Sequence, residues 1–255
     1  MLSESELIRY NRQLKIPEFG EESQKKLKES HIVIVGMGGL GCASGTYLTA
    51  AGVGHITIID FDVVELSNLN RQVLYGEEEI GEKKVFVAQR KLSKLNPRAE
   101  IIPVFATVTE DNISQFMVGA QAVLDGLDNF STRLIVNSAC VRHRIPFIHG
   151  GVSRFRGLVT TILPGETACL ACLYPEGSPG GEGLGVLGVI PAVVANIQAL
   201  EAIKLLIGYG PSLAGKLFRF NGNDMKFRID ELQRNENCGV CGSSRLTKKL
   251  TNLKK

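Results

Sequence analysis

The sequence has no tryptophan, few other aromatics, only 6 cysteines and no large surplus of either charge. What fills the 255 residues instead is 44% hydrophobic and 22% charged side chains with 28 Gly and 9 Pro, the make-up of a folded globular protein, which excludes a disordered or collagen-like chain. A chain of this length buries a sizeable core without disulfide staples, as one large α/β domain or two small ones. The charge is not spread evenly. Twenty-nine Lys and Arg stand against 26 Asp and Glu, but Arg245, Lys248, Lys249, Lys254 and Lys255 lie beyond the last acid, so residues 1–244 carry −2. The body is therefore not a general polyanion binder, and the basic tail at 245–255 reads as solvated rather than as an arm for nucleic acid or membrane.

An export signal is also missing. MLSESELIRYNRQ is charged from Glu4 onward and has no apolar core, so a cytoplasmic protein is expected. Gly183 to Leu200 is uncharged, but Gly185, Gly188 and Pro191 interrupt it and Glu201 and Lys204 follow. It reads as a buried helix, and no membrane partner is expected.

Residues 5–29 read as a polar helical lead-in. His31–Val35 and His55–Ile59 are short, β-branched, continuously apolar runs, the pattern of strands buried on both faces of a parallel sheet. Between them lie a glycine-rich turn and a helix from Leu40 to Ala51. Alternation continues with helices at 83–95, 110–117 and 130–144 and strands at 100–104, 120–124 and 146–149, which predicts a doubly wound, Rossmann-like α/β sheet. Residues 157–163, 216–220 and 226–229 then read as antiparallel strands extending the sheet, and 191–207 as one long helix. Tyr174–Gly188, rich in Gly and Pro, reads as a flexible loop. One domain with a continuous sheet is expected: helices at 1–29, a nucleotide-binding half at 30–150, a second half at 151–244 with a zinc site, and the tail.

Gly36-Met37-Gly38-Gly39-Leu40-Gly41 follows a buried strand and opens a helix, with Asp60 at the end of the next strand. This is the phosphate-cradling G-x-G-x-x-G pattern in its required setting, with an acid for the ribose hydroxyls, and by itself it does not separate NAD from ATP. The polar excursion from Asp60 through Asp62, Asn68 and Arg71 to Gln72, with Lys83-Lys84 beyond it, is unlike a simple dinucleotide binder. Arg71 and Lys84 supply two of the cations that a triphosphate and a departing pyrophosphate demand. Asp128, just past a core strand, suits Mg²⁺ between phosphates. The alternative is that Asp125 and Asp128 merely cap the following helix.

Cys169-x-x-Cys172 and Cys238-x-x-Cys241 are two knuckles of the kind that hold a tetrahedral structural zinc, which a cytoplasmic setting favours over disulfides. Cys42 and Cys140 read as core residues. His31, His55, His143 and His149 form no ligand or triad spacing and read as structural.

RYNRQ at 9–13, GMGGLGC, AAGVG, DFDVVELSNLNRQ, Asp128-Asn129, the paired knuckles and QALEAIKLL, in this order, together resemble the ubiquitin-activating superfamily. Within it the chain is similar to the bacterial ThiF-type adenylyltransferases that activate sulfur carriers for molybdopterin or thiamine biosynthesis. The resemblance implies ATP and Mg²⁺ as cofactors, a structural Zn²⁺, adenylation of the C-terminal glycine of a small ubiquitin-like carrier ending in Gly-Gly, and 151–244 as the carrier-binding half. It implies that Gly38, Gly41, Asp60 and Asp62 hold the nucleotide, that Asn68, Arg71 and Lys84 contact phosphates, and that Asp128 holds Mg²⁺. Arg12 reaches the site of the other subunit, so a homodimer is expected. Thiamine-type members carry a loop cysteine that links to the carrier; this sequence has no cysteine between Cys172 and Cys238, with Leu184 or Gly185 at about that place. The adenylate is therefore expected to be the end product, passed to a separate sulfur donor. Two other enzymes share part of the pattern. An NAD-linked oxidoreductase leaves Arg12, Arg71, Lys84 and Asp128 unexplained, and a superfamily dehydratase acting on a modified tRNA base fits the −2 body poorly.

Overall fold

Parallel and antiparallel pairing meet in a single sheet. The protein is described by a computed structural model covering residues 1–177 and 185–242. The central part of the Gly- and Pro-rich loop, including Leu184, and the basic tail lie outside the described residues.

The chain opens with α1 (Glu4–Arg9), α2 (Asn11–Leu14) and α3 (Gly20–Glu29). A capping box starts α1: Ser3 Oγ accepts from the Glu6 amide and the Glu6 carboxylate accepts from that of Ser3. There follow β1 (His31–Val35), α4 (Gly39–Ala51), β2 (His55–Asp60), α5 (Lys84–Leu95), β3 (Glu100–Phe105), α6 (Ile113–Phe116), β4 (Ala122–Asp125), α7 (Phe130–His143) and β5 (Phe147–Ser153). The second half adds β6 (Arg156–Ile162), α8 (Leu170–Leu173), α9 (Val189–Ile207), β7 (Lys216–Asn221) and β8 (Lys226–Glu231).

The eight strands run in the order β3-β2-β1-β4-β5-β6-β7-β8. The first five pair in parallel and the last three antiparallel. The expected helix at 110–117 shrinks to the single turn α6. Asn112 is the physical reason: its side chain accepts from the Thr109 amide and donates to the Thr107 carbonyl, holding the preceding residues in a turn.

Buried side chains form one cluster on each side of the sheet. One gathers Ile32, Ile34, Ile56 and Ile58 with α4, α5 and α9; the other gathers Val33, Val35, Ile59 and Val123 with α7 and the cysteine-bearing α8. Alternate residues of the same strand divide between the two, as strands covered on both faces require. Helix α9 is long and apolar enough by composition to cross a membrane, but half of the relevant stretch is buried within the fold. Two polar residues fix its place on the sheet. Gln198 Nε2 donates to the Asp125 and Ile148 carbonyls at 3.0 and 2.9 Å. The buried Glu201 carboxylate accepts from the Leu213 and Ser212 amides and the Thr161 hydroxyl, with Lys204 against it.

Candidate active site

The sheet order reverses at β1, which has β2 on one side and β4 on the other. In open α/β sheets ligands gather outside the carboxyl ends of strands at such a point. There the two strand-end loops touch so closely that a Cβ on Gly36 (φ 93°) would lie 2.6 Å from the Gly126 backbone. A Cβ on Gly41 would lie 2.0 Å from the Gly36 carbonyl oxygen. Gly41 thus packs α4 against the turn behind the cleft, while Gly36, Gly38 and Gly39 line it. Gly38 caps α4 with no side-chain hydrogen bond, so the first-turn amides of a 13-residue helix have no side chain bonded to them at the cleft, where an anion is favoured.

The cleft has a volume of about 1670 Å³ and runs from this turn across the carboxyl ends of β4 and β5 to β6, β7 and β8. Asp60 stands on its wall with both oxygens engaged: one accepts from the Met37 amide at 2.6 Å and the other from Asp62 at 2.7 Å. Burial pushes its pKa up against the pull of those two amides and of Lys84. The Lys84 side chain is only 6% exposed, and its ammonium lies 2.8 Å from the Asp62 carboxylate. The charge expected to meet phosphate is thereby held in place by a more exposed counter-ion. Arg71 also lines the cleft, donating to the Ser67 carbonyl and the Asn70 side chain at 2.9 and 3.1 Å, with no carboxylate partner among the described residues.

Not every sequence-selected residue comes to this place. Asn68 is buried away from the cleft, its Oδ1 accepting from the Glu65 amide at 3.3 Å within a short 3₁₀ turn. Its carbonyl accepts from the Arg71 and Gln72 amides, so Asn68 shapes the turn that presents Arg71. Asn70 and Gln72 line the cleft instead, and the Gln72 side-chain oxygen is buried without a partner. Arg12 is exposed on α2 and does not line the cleft of its own chain.

Asp125 and Asp128 divide into two roles, and neither caps α7. That work falls to Asn129, whose Oδ1 accepts from the Thr132 amide at 2.9 Å. Asp128 is exposed on the cleft wall, without an ion pair among the described residues. Asp125 is fully buried, with Arg133 Nε at 3.0 Å, His149 Nδ1 at 2.5 Å and the Leu127 amide at 3.0 Å. Burial pushes its carboxyl up, but Arg133, His149 and the amide outweigh that and hold it below the usual range. Burial lowers the His149 pKa more than Asp125 raises it, so the ring is neutral. This network, which sequence spacing missed, fixes the end of β4 and with it the loop that carries Asp128. Tyr174 stands edge-on to both His149 and Phe130.

A pH dependence follows. With its folded pKa below the unfolded 6.5, His149 contributes stability that is present above pH 6.5 and declines as pH falls below it; Asp125 acts in the same direction below 3.8. The urea midpoint is expected to fall between pH 7 and pH 5, and to fall less in His149→Asn. Parallel curves for the two proteins would show that the ring is not buried neutral.

A family model described as the ThiF family matches residues 10–240. The chain belongs to the ThiF family. It is 42% identical over 252 residues to the sulfur carrier protein adenylyltransferase of Thermus thermophilus, covering 94% of this chain and 92% of that protein. It is 39% identical over 245 residues to the molybdopterin-synthase adenylyltransferase of Escherichia coli, covering 94% and 98%. It is 37% identical over 243 residues to the vegetative HesA protein of Trichormus variabilis, covering 95% and 92%. Among solved structures, E. coli MccB with ATP aligns at a TM-score of 0.79 and 27% identity over 92% of this chain and 73% of that one.

In this ThiF-family chain the two knuckles come together. The sulfurs of Cys169, Cys172, Cys238 and Cys241 all lie within 4.8 Å of one another, with individual pairs at 4.0, 3.7 and 3.4 Å. Four thiolates around zinc at ~2.3 Å stand ~3.8 Å apart, so the cluster fits a zinc knuckle. Burial pushes the Cys238 thiol up, yet the backbone amides of Cys241 and Val240 outweigh it and hold the group at about 7. Helix α8, with Cys169 as its N-cap, places Leu173 and Tyr174 on the cleft wall. The knuckle thereby anchors one side of the candidate site. Cys42 and Cys140 are buried in the core, and burial pushes the Cys42 thiol to about 12, which leaves it inert.

Proposed function

We propose that this protein uses ATP to adenylylate the C-terminal glycine carboxylate of a small ubiquitin-like sulfur carrier. The observation that carries the proposal is the convergence of Arg71, Lys84 and Asp128 with the open amides of α4 in one cleft that continues over the antiparallel strands. The activities named for the Thermus and E. coli relatives support the same reading.

In this reaction a carboxylate oxygen forms a bond to the α-phosphorus as the α–β phosphoanhydride bond breaks and pyrophosphate leaves with the electron pair. The α4 amides and Gly38 cradle phosphate, Asp60 accepts from ribose hydroxyls, and Arg71 and Lys84 face the charge that accumulates on the pentacoordinate phosphorus and the leaving group. Asp128 is the carboxylate that would hold Mg²⁺, which supplies charge neutralisation and alignment of the phosphates. Asp62 orients Lys84. Arg12, exposed and outside its own cleft, completes the cleft of a second subunit in a homodimer. The acyl-adenylate is the product released to a separate sulfur donor, and the setting is cytoplasmic. Molybdopterin or thiamine biosynthesis is the destination of the carrier. An NAD-linked reaction gives no work to Arg71, Lys84 or Asp128.

Intact-mass measurement after mixing protein, Mg-ATP and a carrier ending in Gly-Gly tests this. An AMP adduct on the carrier without a covalent carrier–enzyme species is the expected result. ATP binding with no adduct on any such carrier would transfer the proposal to another carboxylate or to the tRNA-base reaction.

A further inference from the structure

One wall of the cleft holds a polar atom with nothing to bond. His149 lines the cleft from β5, beside Asp125 at the end of β4, and its side chain is only 2% exposed. The Asp125 carboxylate holds the ring at Nδ1. A carboxylate only accepts, so Nδ1 carries the proton and Nε2 of the neutral ring presents a bare lone pair. That nitrogen is buried without a hydrogen-bond partner among the described residues. Leaving a buried acceptor empty is costly, and such an atom on a cleft wall calls for a donor from outside the fold.

The chemistry of the atom selects the donor. A lone pair facing a phosphate oxygen meets another lone pair, so Nε2 does not belong to the triphosphate. The nucleotide carries donors on its ribose and base, but β1 and β4 stand between β5 and β2, whose Asp60 is placed for the ribose. Three strand spacings amount to about 14 Å. The step needs no base either, since the attacking group is already a carboxylate. The donors that remain are the peptide N–H groups of the carrier's tail. The cleft continues past β5 over the antiparallel strands, so a tail entering from that end passes His149 on its way to the phosphates beside Asp128.

Resting on the carrier-adenylating reading, we propose that His149 Nε2 accepts the amide N–H of one glycine in the carrier's Gly-Gly end and so sets how deep the terminal carboxylate travels. Two rings lie beside the imidazole, Phe147 and Tyr174. Phe147 is fully buried in the core, whereas Tyr174 is half-buried and lines the cleft, so Tyr174 is the cover that gives way to the tail. Asp125 has a part in this as well. An imidazole without that brace would present an N–H as readily as a lone pair, and only the lone pair can take a peptide N–H.

The test pairs His149→Asn with two semisynthetic carriers, in each of which the peptide bond to one of the end glycines is replaced by an ester. The ester deletes the N–H and keeps the shape, and the asparagine amide still donates to Asp125 but does not extend to the place of Nε2. In wild type one of the two esters is expected to lower kcat/KM for adenylation about tenfold. In His149→Asn that ester and the all-amide carrier are expected to react equally well. A purely structural histidine would leave the ester penalty the same in both proteins. That result, or a wild type indifferent to both esters, would overturn the proposal. Should the variant not fold, heteronuclear NMR of the imidazole nitrogens in wild type decides: the Nε2 resonance is expected to move upfield when the carrier binds, and a resonance that stays in place would overturn it. Failure of wild type to form any AMP adduct with the all-amide carrier, a separate readout, would remove the adenylation reading and this inference with it.

Discussion

Replacing Arg71 by alanine is expected to slow carrier adenylation by about 10²–10³-fold, with melting temperature and zinc content unchanged. The guanidinium is fixed before substrate arrives by the Ser67 carbonyl and Asn70, and it lines the cleft with no carboxylate partner among the described residues. A preorganised charge aimed at developing negative charge is worth about 3 kcal/mol or more in a transition state, far beyond what an exposed arginine gives to folding. Single-turnover formation of the carrier adenylate is the measurement. Turnover within a few-fold of wild type would remove Arg71 from the reaction centre. Lys84→Ala is a poorer probe, because it also strands the Asp62 carboxylate.

Cys238→Ser is expected to act on folding instead. Removing one of four thiolates from a closed structural site forfeits most of the metal's affinity, and loss of such a centre costs about 4 kcal/mol or more, roughly 10 °C for a chain of this size. Metal analysis should find less than one zinc per chain. ATP binding at α4 should survive wherever the variant remains folded, since the cysteines lie on the side of the sheet covered by α7 and α8. A variant that keeps both its zinc and its melting temperature would refute the knuckle.

The parallel half of the fold was legible because His31–Val35 and His55–Asp60 are apolar without alternation, as only a sheet covered on both faces permits. The cysteines were equally legible, since a CxxC pair fixes a local half-site wherever the second pair comes to lie. The orientation of Asn68 was not legible, because an amide's role depends on which way it turns. Its oxygen closes the turn with Glu65 rather than facing the cleft. Asp125 escaped for a related reason: Asp125 and Asp128 are equivalent carboxylates in sequence, and only the arrival of Arg133 from α7 and His149 from β5 separates a buried ionic brace from an exposed cleft residue.

The pairs Cys169–Cys238 and Cys172–Cys241 each join residues 69 apart, and α9, β7 and β8 all lie between them. The second half is therefore a closed ring of chain whose clasp is four sulfurs. A protease cut anywhere from residue 173 to 237 would open the ring without releasing a piece. The two fragments would travel together on a sizing column, and a chelator alone would not part them, because β7 stays paired with β6 and α9 stays packed against the sheet; only chelator and denaturant together would.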